Sequence, residues 1–207
     1  MKIYNFEQRT DEWYAIRRGK LSASNASIIA TNGKGLETYV YTLMSEYYSN
    51  GEKDHFVSAD MQRGIDLEPE ARIEFEFYTG LDVQEVGFVE LNQFCGVSPD
   101  GLIGNDGLIE IKSPNDLTYF KLLLNGEIKS EYLWQMQMQM FVTKRKYCYF
   151  VSYNPNFKQT FFIKKIERDE EMIQKIKEGI DYGTKLIKEI KDKYEKILKG
   201  GNNGTIR

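Results

Sequence analysis

The spacing of apolar residues changes several times along the chain, and each change predicts a different element. Between residues 169 and 198 apolar side chains recur at helical spacing, which predicts a long C-terminal amphipathic helix. Its apolar stripe consists of Ile173, Ile176, Ile180, Ile187, Ile190, Tyr194 and Ile197. Shorter helices are predicted after the N-cap residue Thr10, over residues 22–31, 36–49, 60–80 and 118–126, and from Ser130 onward.

Strand patterns fill much of the chain between these helices. They are rich in β-branched and aromatic residues and lie at residues 82–91, 94–103, 107–113, 147–154 and 159–166. Helices before, between and after a short mixed sheet predict a single α/β or α+β domain over residues 1–199. Residues 200–207, which read GGNNGTIR, are expected to form a flexible tail.

The charge of the chain restricts its possible partners. The 207 residues include 28 Lys and Arg against 31 Asp and Glu, for a formal net charge of −3. This balance excludes a blanket electrostatic attraction to nucleic acid, although a confined basic cluster is compatible with it. No apolar run approaches the roughly 18 residues of a membrane span, and the first residues lack the apolar centre of a signal peptide. We therefore expect a soluble, cytoplasmic protein.

Few side chains are available for soft-metal or redox chemistry. Cys95 and Cys148 are the only cysteines, and we expect buried thiols, with a disulfide as the alternative. The single histidine, His55, excludes zinc sites built from several histidines. Any metal must then be held mainly by carboxylates, which favours a hard ion such as Mg²⁺ or Mn²⁺.

A hairpin over residues 96–114 concentrates the candidate chemistry. Glu110 and Lys112 are two residues apart on a predicted strand, so their side chains share one face. If Leu102 pairs with Leu108 across the glycine-containing loop, Asp100 faces Glu110 with Cβ atoms about 5 Å apart. A register shifted by one residue would remove this arrangement, because side chains alternate between faces.

Two facing carboxylates repel each other unless something neutralises them. A divalent cation does so, and it also acidifies bound water and stabilises charge on a phosphoryl group. Lys112 would orient the attacking water or, if its pKa falls beside the cation, take up a proton. The alternative is a solvated hairpin whose charges have no chemical role.

The hairpin motif SPDG, followed by EIK, resembles the signature of the PD-(D/E)xK nucleases. Its surroundings resemble the lambda-exonuclease family of phage recombination nucleases, from about Trp13 to Arg168. The resemblance implies a restriction-endonuclease-like core in which Asp100 and Glu110 hold one or two Mg²⁺ ions. It adds the main-chain carbonyl of Ile111 as a metal ligand.

Three further motifs occur in the order found in that family. WYAIRRGKLSAS is similar to a segment that binds a 5′-terminal phosphate, a role that falls on Arg17 and Ser24, with Lys34 as a further basic residue. An arginine fork and the free N–H groups of a helix start both suit a phosphate. The structural alternatives are a helix cap for Ser24 and a solvated charge for Arg17.

The other two motifs supply residues nearer to the acids. RGIDLEPEARIEFEFYTG resembles a family helix whose acid, here Glu68, lies beside the metal. Met61 occupies the position of an apolar residue that wedges the strands apart, although packing is the simpler role for a methionine. YLWQMQMQMFVT resembles a family helix with an active-site glutamine, here Gln135, and on a helix Gln139 shares its face.

The resemblance as a whole implies a metal-dependent 5′-to-3′ exonuclease acting on linear duplex DNA in the cytoplasm of a host cell. It further implies a homotrimeric ring and a single-strand annealing protein as partner. The shorter N-terminus and the Ile-rich tail depart from the family pattern and leave ring formation open. The alternatives are an endonuclease on the same fold and a non-catalytic DNA-end-binding module.

Overall fold

The computed structural model describes residues 1–49 and 58–200, so His55 and residues 201–207 of the predicted tail lie outside it. The α-helices of the described ranges are α1 (Asp11–Arg17), α2 (Ala26–Thr31), α3 (Lys34–Tyr48), α4 (Ala59–Thr79), α5 (Asp116–Asn125), α6 (Ser130–Thr143) and α7 (Glu170–Gly200). The strands are β1 (Lys2–Tyr4), β2 (Leu21–Ser22), β3 (Val83–Gln84), β4 (Phe88–Asn92), β5 (Cys95–Val97), β6 (Gly101–Ile103), β7 (Gly107–Lys112), β8 (Tyr147–Tyr153) and β9 (Phe161–Glu167).

These strands form two mixed sheets. One has the order β1-β4-β5-β2 and the other β3-β6-β7-β8-β9. In the five-stranded sheet β7 and β8 are parallel, while the remaining neighbours are antiparallel. Parallel neighbours need a crossover connection, and α5 and α6 lie in it. The predicted α/β class with helices flanking a mixed sheet is confirmed.

Alternate residues of β7 and β8 face two different cores. Leu108 and Phe150 belong to the larger core, which also includes residues of α2, α3, α6 and α7. Ile109 and Val151 belong to a smaller core with Phe75 of α4. Because side chains alternate along a strand, Glu110 lies in phase with Leu108 and faces the side of the sheet that α6 covers.

The C-terminal helix α7 is amphipathic as predicted. Ile173, Ile176, Ile180 and Ile187 of the predicted stripe are buried, whereas Ile197 is exposed. Contact with α2 is so close that a Cβ atom on Gly179 would lie 1.9 Å from the carbonyl oxygen of Ile29.

The N-terminal half differs from the sequence prediction in two places. The helix expected over residues 22–31 is divided into a 3₁₀ turn, Ala23–Asn25, and the short α2. One short sheet was predicted, but β1 and β2 add strands of three and two residues to a second one. Elements this short contain too few residues for a periodic pattern.

Helix α4 continues through Pro69, although an internal proline costs a helix about 3 kcal/mol. Ala71 and Phe75, in the turns that follow, are fully buried. Their burial against the sheet offsets the lost hydrogen bond. The sequence prediction of one helix over residues 60–80 is therefore confirmed.

Both cysteines are free and buried, as predicted. Burial raises the pKa of the Cys95 thiol to about 12. Within residues 1–49 and 58–200, every helix is too short or too polar to cross a membrane. The single domain over residues 1–199 stays a prediction.

Candidate active site

The hairpin has the predicted register. Gly101 pairs with Ile109 and Leu102 with Leu108, so Asp100, one residue before β6, comes opposite the end of β7. Its Oδ2 accepts a hydrogen bond of 2.6 Å from the main-chain N–H of Ile111. The two acids therefore lie at one end of the hairpin, and the shifted register does not occur.

Glu110 is fully buried, and three donors surround its carboxylate. Oε1 accepts hydrogen bonds from Lys112 and from Nε2 of Gln135, the latter at 2.6 Å. Oε2 accepts one of 2.7 Å from Nε2 of Gln139. A buried carboxylate is tolerated only when paired and hydrogen-bonded in this way. A carboxylate has about four lone-pair positions, so one position on Oε2 remains for a further ligand.

The electrostatics of the cluster reflect crowded negative charge. Burial raises the pKa of Asp100 well above its usual value, and the carboxylates of Glu110 and Glu68 raise it further. Burial acts to lower the pKa of Lys112, but Glu110 and Asp100 outweigh it and raise that pKa. The two acids therefore favour the charged form of Lys112, which suits a residue that orients a nucleophile or stabilises negative charge.

Glu68 extends from α4 towards the cluster, and its carboxylate is paired with two arginines. Its Oε2 accepts a hydrogen bond of 2.5 Å from Arg9, and its Oε1 lies 4.0 Å from the Arg72 guanidinium. A cavity of about 300 Å³ is lined by Asp100, Glu68 and both arginines. Glu68 thus lines one cavity with Asp100 and is paired with arginine in this arrangement, and its role beside a metal stays a prediction.

The donor set of the cluster fits a hard divalent ion. In the described part of the chain, no three acidic, histidine or cysteine side chains converge on one point. Mg²⁺ is commonly held by only one or two carboxylates and keeps several waters, whereas Ca²⁺ needs more protein oxygens. Asp100, the free position on Glu110 and the Ile111 carbonyl could hold Mg²⁺, with Glu68 nearby.

Residues 130–143 form a helix whose glutamines have different roles. Gln135 and Gln139 face Glu110, whereas Gln137 bonds the main chain at Glu167 and Asp169. The methionines Met136, Met138 and Met140 are fully buried in the core, as expected. Gln139 was not predicted as a site residue, although its position one turn after Gln135 placed it on the same face. Its own Oε1 is buried without a hydrogen-bond partner among the described residues.

Arg17 lies against the segment that leads into Asp100. Its guanidinium donates to Oγ of Ser98 at 3.1 Å and stacks 4.0 Å from the ring centroid of Trp13. Burial lowers the pKa of Arg17 to about 10, although Tyr39 and Tyr14 act in the opposite direction. Arg17 is therefore not a solvated charge. Ser98 was missed in the sequence, even though it is part of the SPDG motif.

Ser24 belongs to a chain of hydroxyl groups near Arg17. It lies in the 3₁₀ turn and does not cap a helix; its Oγ is 3.1 Å from Oγ of Ser22. The Ser22 hydroxyl in turn lies 3.5 Å from that of Tyr39. Lys34 is exposed at the first residue of α3 and takes no part in these hydrogen bonds.

Met61 lies in the first turn of α4 and is 56% exposed, so it does not pack in the core. It precedes Glu68 by seven residues, or about two helical turns, so both lie on one side of the helix. Its role in strand separation stays a prediction.

The chain is similar to known proteins both in sequence and in structure. A family model described as a YqaJ-like viral recombinase domain matches residues 12–146. The alkaline exonuclease LHK-Exo from Laribacter hongkongensis is 37% identical, with 91% of this chain and 100% of that chain covered and a TM-score of 0.79. Its complex with dAMP has the same identity and coverage and a TM-score of 0.80.

A phage-related exonuclease from Haemophilus somnus 129PT has a TM-score of 0.64 at 18% identity, with 84% of this chain and 96% of that chain covered. At this identity the likeness shows the fold alone. A search of curated protein sequences gave no match.

The crowding of acids predicts that Asp100→Asn stabilises the protein when divalent ions are chelated. Asparagine Oδ1 still accepts from the Ile111 N–H, while a negative charge beside Glu110 and Glu68 is removed. We expect the free energy of unfolding to rise by about 1 kcal/mol, measured by denaturant titration in chelator.

Excess Mg²⁺ should stabilise the parent protein but not this variant, because ligand binding to the folded state adds stability. The matched control is Asp106→Asn in the hairpin loop, where the side chain is 49% exposed and paired with Lys146. This control should change stability by less than about 0.5 kcal/mol. An Asp100→Asn protein less stable than its parent in chelator would contradict the repulsion.

Proposed function

The chain belongs to the YqaJ-like viral recombinase family, and from this premise we propose that it is a Mg²⁺-dependent exonuclease acting on linear duplex DNA. It removes nucleotides from 5′-phosphorylated ends in the 5′-to-3′ direction and leaves 3′ single-stranded overhangs for recombination by strand annealing. The 5′-to-3′ polarity rests on the resemblance of the sequence motifs.

The observation that carries this proposal is the arrangement around Glu110. A fully buried carboxylate is held by Lys112, Gln135 and Gln139, with a second acid, Asp100, at the same end of the hairpin. A purely structural role would not need a buried carboxylate beside another acid, because apolar residues fill such a position at lower cost. The likeness to an alkaline exonuclease, also solved with dAMP, is the second support.

Each residue of the cluster has a role in phosphodiester hydrolysis. Asp100, Glu110 and the Ile111 carbonyl would hold the ion, which when bound supplies acidified water and stabilises phosphoryl charge. The Lys112 ammonium donates to Glu110 and has further protons with which to orient a water molecule or contact a phosphate oxygen. Gln135 and Gln139 keep the Glu110 carboxylate in one orientation.

A separate set of residues recognises the end of the strand. Arg17, Ser98, Ser22 and Ser24 present a guanidinium and three hydroxyl groups, and Ser98 is two residues from Asp100. These groups suit a terminal phosphate because charge-assisted hydrogen bonds from arginine to phosphate are strong and directional. Lys34 would add a long, exposed cation from the start of α3.

We also propose the homotrimeric ring that the resemblance implies. Two unlike sets of exposed apolar residues support it: on α4, Ile73, Phe77 and Tyr78, and on α5, Leu117, Phe120 and Leu124. A closed ring pairs one patch with a different patch of the next subunit, whereas a two-fold dimer pairs a patch with itself. Enclosure in a ring would allow a protein of net charge −3 to remain on DNA. An annealing partner stays a prediction.

Loss of the Lys112 ammonium should abolish most of the hydrolysis. Lys112→Met keeps the aliphatic stem, and Lys146→Met, at an exposed lysine, is the matched control. On end-labelled linear duplex with Mg²⁺ we expect a rate reduction of about 100-fold or more for Lys112→Met, an unchanged rate for the control, and earlier loss of the 5′ label than of the 3′ label.

Three outcomes would reject this function. Hydrolysis that persists in excess chelator excludes the metal. Cutting of covalently closed plasmid supports an endonuclease. Binding of the protein to duplex ends without hydrolysis supports the non-catalytic end-binding module.

Arg17 should determine the preference for phosphorylated ends. Arg17→Gln removes the charge, and we expect the ratio of rates on 5′-phosphorylated and 5′-hydroxyl duplex to fall by about 10-fold. The neighbouring Arg18→Gln is the control, because Arg18 donates to main-chain oxygens of Glu46 and Ser49 instead. Equal rates of the parent protein on both substrates would contradict the proposal that these residues bind the terminal phosphate.

The ring predicts a mass of three 24.2 kDa chains in light scattering at micromolar concentration. Phe77 is 89% exposed, so Phe77→Glu should reduce the mass without unfolding the chain. The control, Tyr41→Glu, changes an exposed residue of α3 and should leave the mass unchanged. A parent protein that scatters as a monomer would exclude the ring.

A further inference from the structure

A turn before α1, at residues 7–10, reaches the acidic cluster of Asp100 and Glu110 from the N-terminal part of the chain. Gln8 anchors this turn, because its Nε2 donates to the main-chain oxygen of Pro99 at 3.0 Å. Pro99 directly precedes Asp100. The turn is therefore attached to the segment that carries one of the two hairpin acids.

The centre of this turn is strained. Arg9 adopts a left-handed backbone conformation with a φ of 69°. On its far side the Thr10 hydroxyl donates to the main-chain oxygen of Glu7 at 2.9 Å, so the turn is held at both ends. Strain of this kind persists where the surrounding structure fixes it, and it is concentrated at functional sites. The strained backbone of Arg9 therefore points to a role of its side chain.

The Arg9 side chain neutralises Glu68. Its guanidinium donates to Oε2 of Glu68 at 2.5 Å, and both residues line the cavity that also contains Asp100. Burial is the main cause of the raised pKa of Asp100, and the carboxylates of Glu110 and Glu68 add to it. Arg9 is thus paired with an acid whose charge acts on a predicted metal ligand.

The two arginines beside Glu68 differ in how firmly they are held. The Arg72 side chain is 12% exposed, donates to the main-chain oxygen of Asp100 and pairs with Glu85 at 3.1 Å. The Arg9 side chain is 37% exposed, and within residues 1–49 and 58–200 it bonds Glu68 alone. Arg72 is therefore fixed in place, whereas Arg9 can leave Glu68 by rotation of its own side chain.

We propose that Arg9 is a built-in counter-cation of the acidic cluster and competes with a divalent ion for Glu68. The proposal rests on the metal-dependent cleavage proposed above. Two cations beside the same acids repel each other, so pairing of Arg9 with Glu68 and binding of an ion oppose one another. Arg9 thereby limits repulsion among the acids at low ion concentration, and it raises the ion concentration at which the site fills.

Titration calorimetry with Mn²⁺ in the absence of DNA tests this competition without hydrolysis. The test variant is Arg9→Asn, because asparagine tolerates a left-handed backbone conformation. We expect it to bind Mn²⁺ about 5-fold more tightly than the parent. The matched control is Arg18→Asn, which removes an exposed arginine bonded to main-chain oxygens of Glu46 and Ser49 and should keep the parental affinity.

Two further variants show whether charge at Glu68 is the cause. Arg9→Lys keeps the positive charge and should bind Mn²⁺ like the parent. In a Glu68→Gln background, Arg9→Asn should change the affinity by less than about 2-fold, because the carboxylate for which the cations compete is absent.

Denaturant unfolding provides a second readout. In chelator, Arg9→Asn should unfold at a lower denaturant concentration than the parent, since it leaves Glu68 unpaired near Asp100. Added Mn²⁺ should then raise the unfolding midpoint of the variant by more than that of the parent, because tighter binding to the folded state adds more stability.

An Arg9→Asn protein that binds Mn²⁺ no more tightly than the parent would overturn the competition while leaving the nuclease standing. An equally large increase in affinity in the Glu68→Gln background would also overturn it, because the effect would then not act through Glu68. A parent protein that neither binds Mn²⁺ nor digests duplex would overturn the proposed nuclease itself.

Discussion

The burial of a charged carboxylate, Glu110, is the constraint around which this protein is organised. A buried carboxylate is costly unless hydrogen-bond donors surround it, and the three donors come from two elements. Lys112 lies on the same strand, while Gln135 and Gln139 lie on α6. The position of α6 against the sheet is therefore fixed by polar contacts as well as by the methionines that pack beside them.

The parallel pairing of β7 and β8 explains why the acidic cluster and the lysine-lined cavity (Lys112, Lys121 and Lys129) lie at the same edge of the sheet. The crossover between these strands carries α5 and α6 past their carboxyl ends. Glu110 and Lys112 therefore meet the glutamines of α6, and Lys112 faces the space under α5. One topological feature thus builds both the acidic cluster and the lysine-lined cavity.

The opposite side of the cluster is built from distant parts of the chain. Arg9 reaches Glu68 across 59 residues, and Arg17 reaches Ser98 across 81. Both arginines lie between β1 and β2 of the four-stranded sheet in the chain, and both side chains end near the SPDG segment. Lys112 bonds Glu110 directly, and the arginines add positive charge at the edge of the cluster, which suits a site that must accept a polyanion.

The sequence by itself determined that a helix begins at Ser130, that α7 carries an apolar stripe and which family the chain resembles. The hairpin register was left open between two alternatives, because apolar residues occupy both faces of the hairpin and a shift by one residue exchanges those faces. Only the tertiary structure decided that Gln139 completes the shell of Glu110 and that Ser98 joins Arg17. Periodicity shows which side of an element is buried, but not which residue of a distant element lies opposite, and these contacts join different elements of the chain.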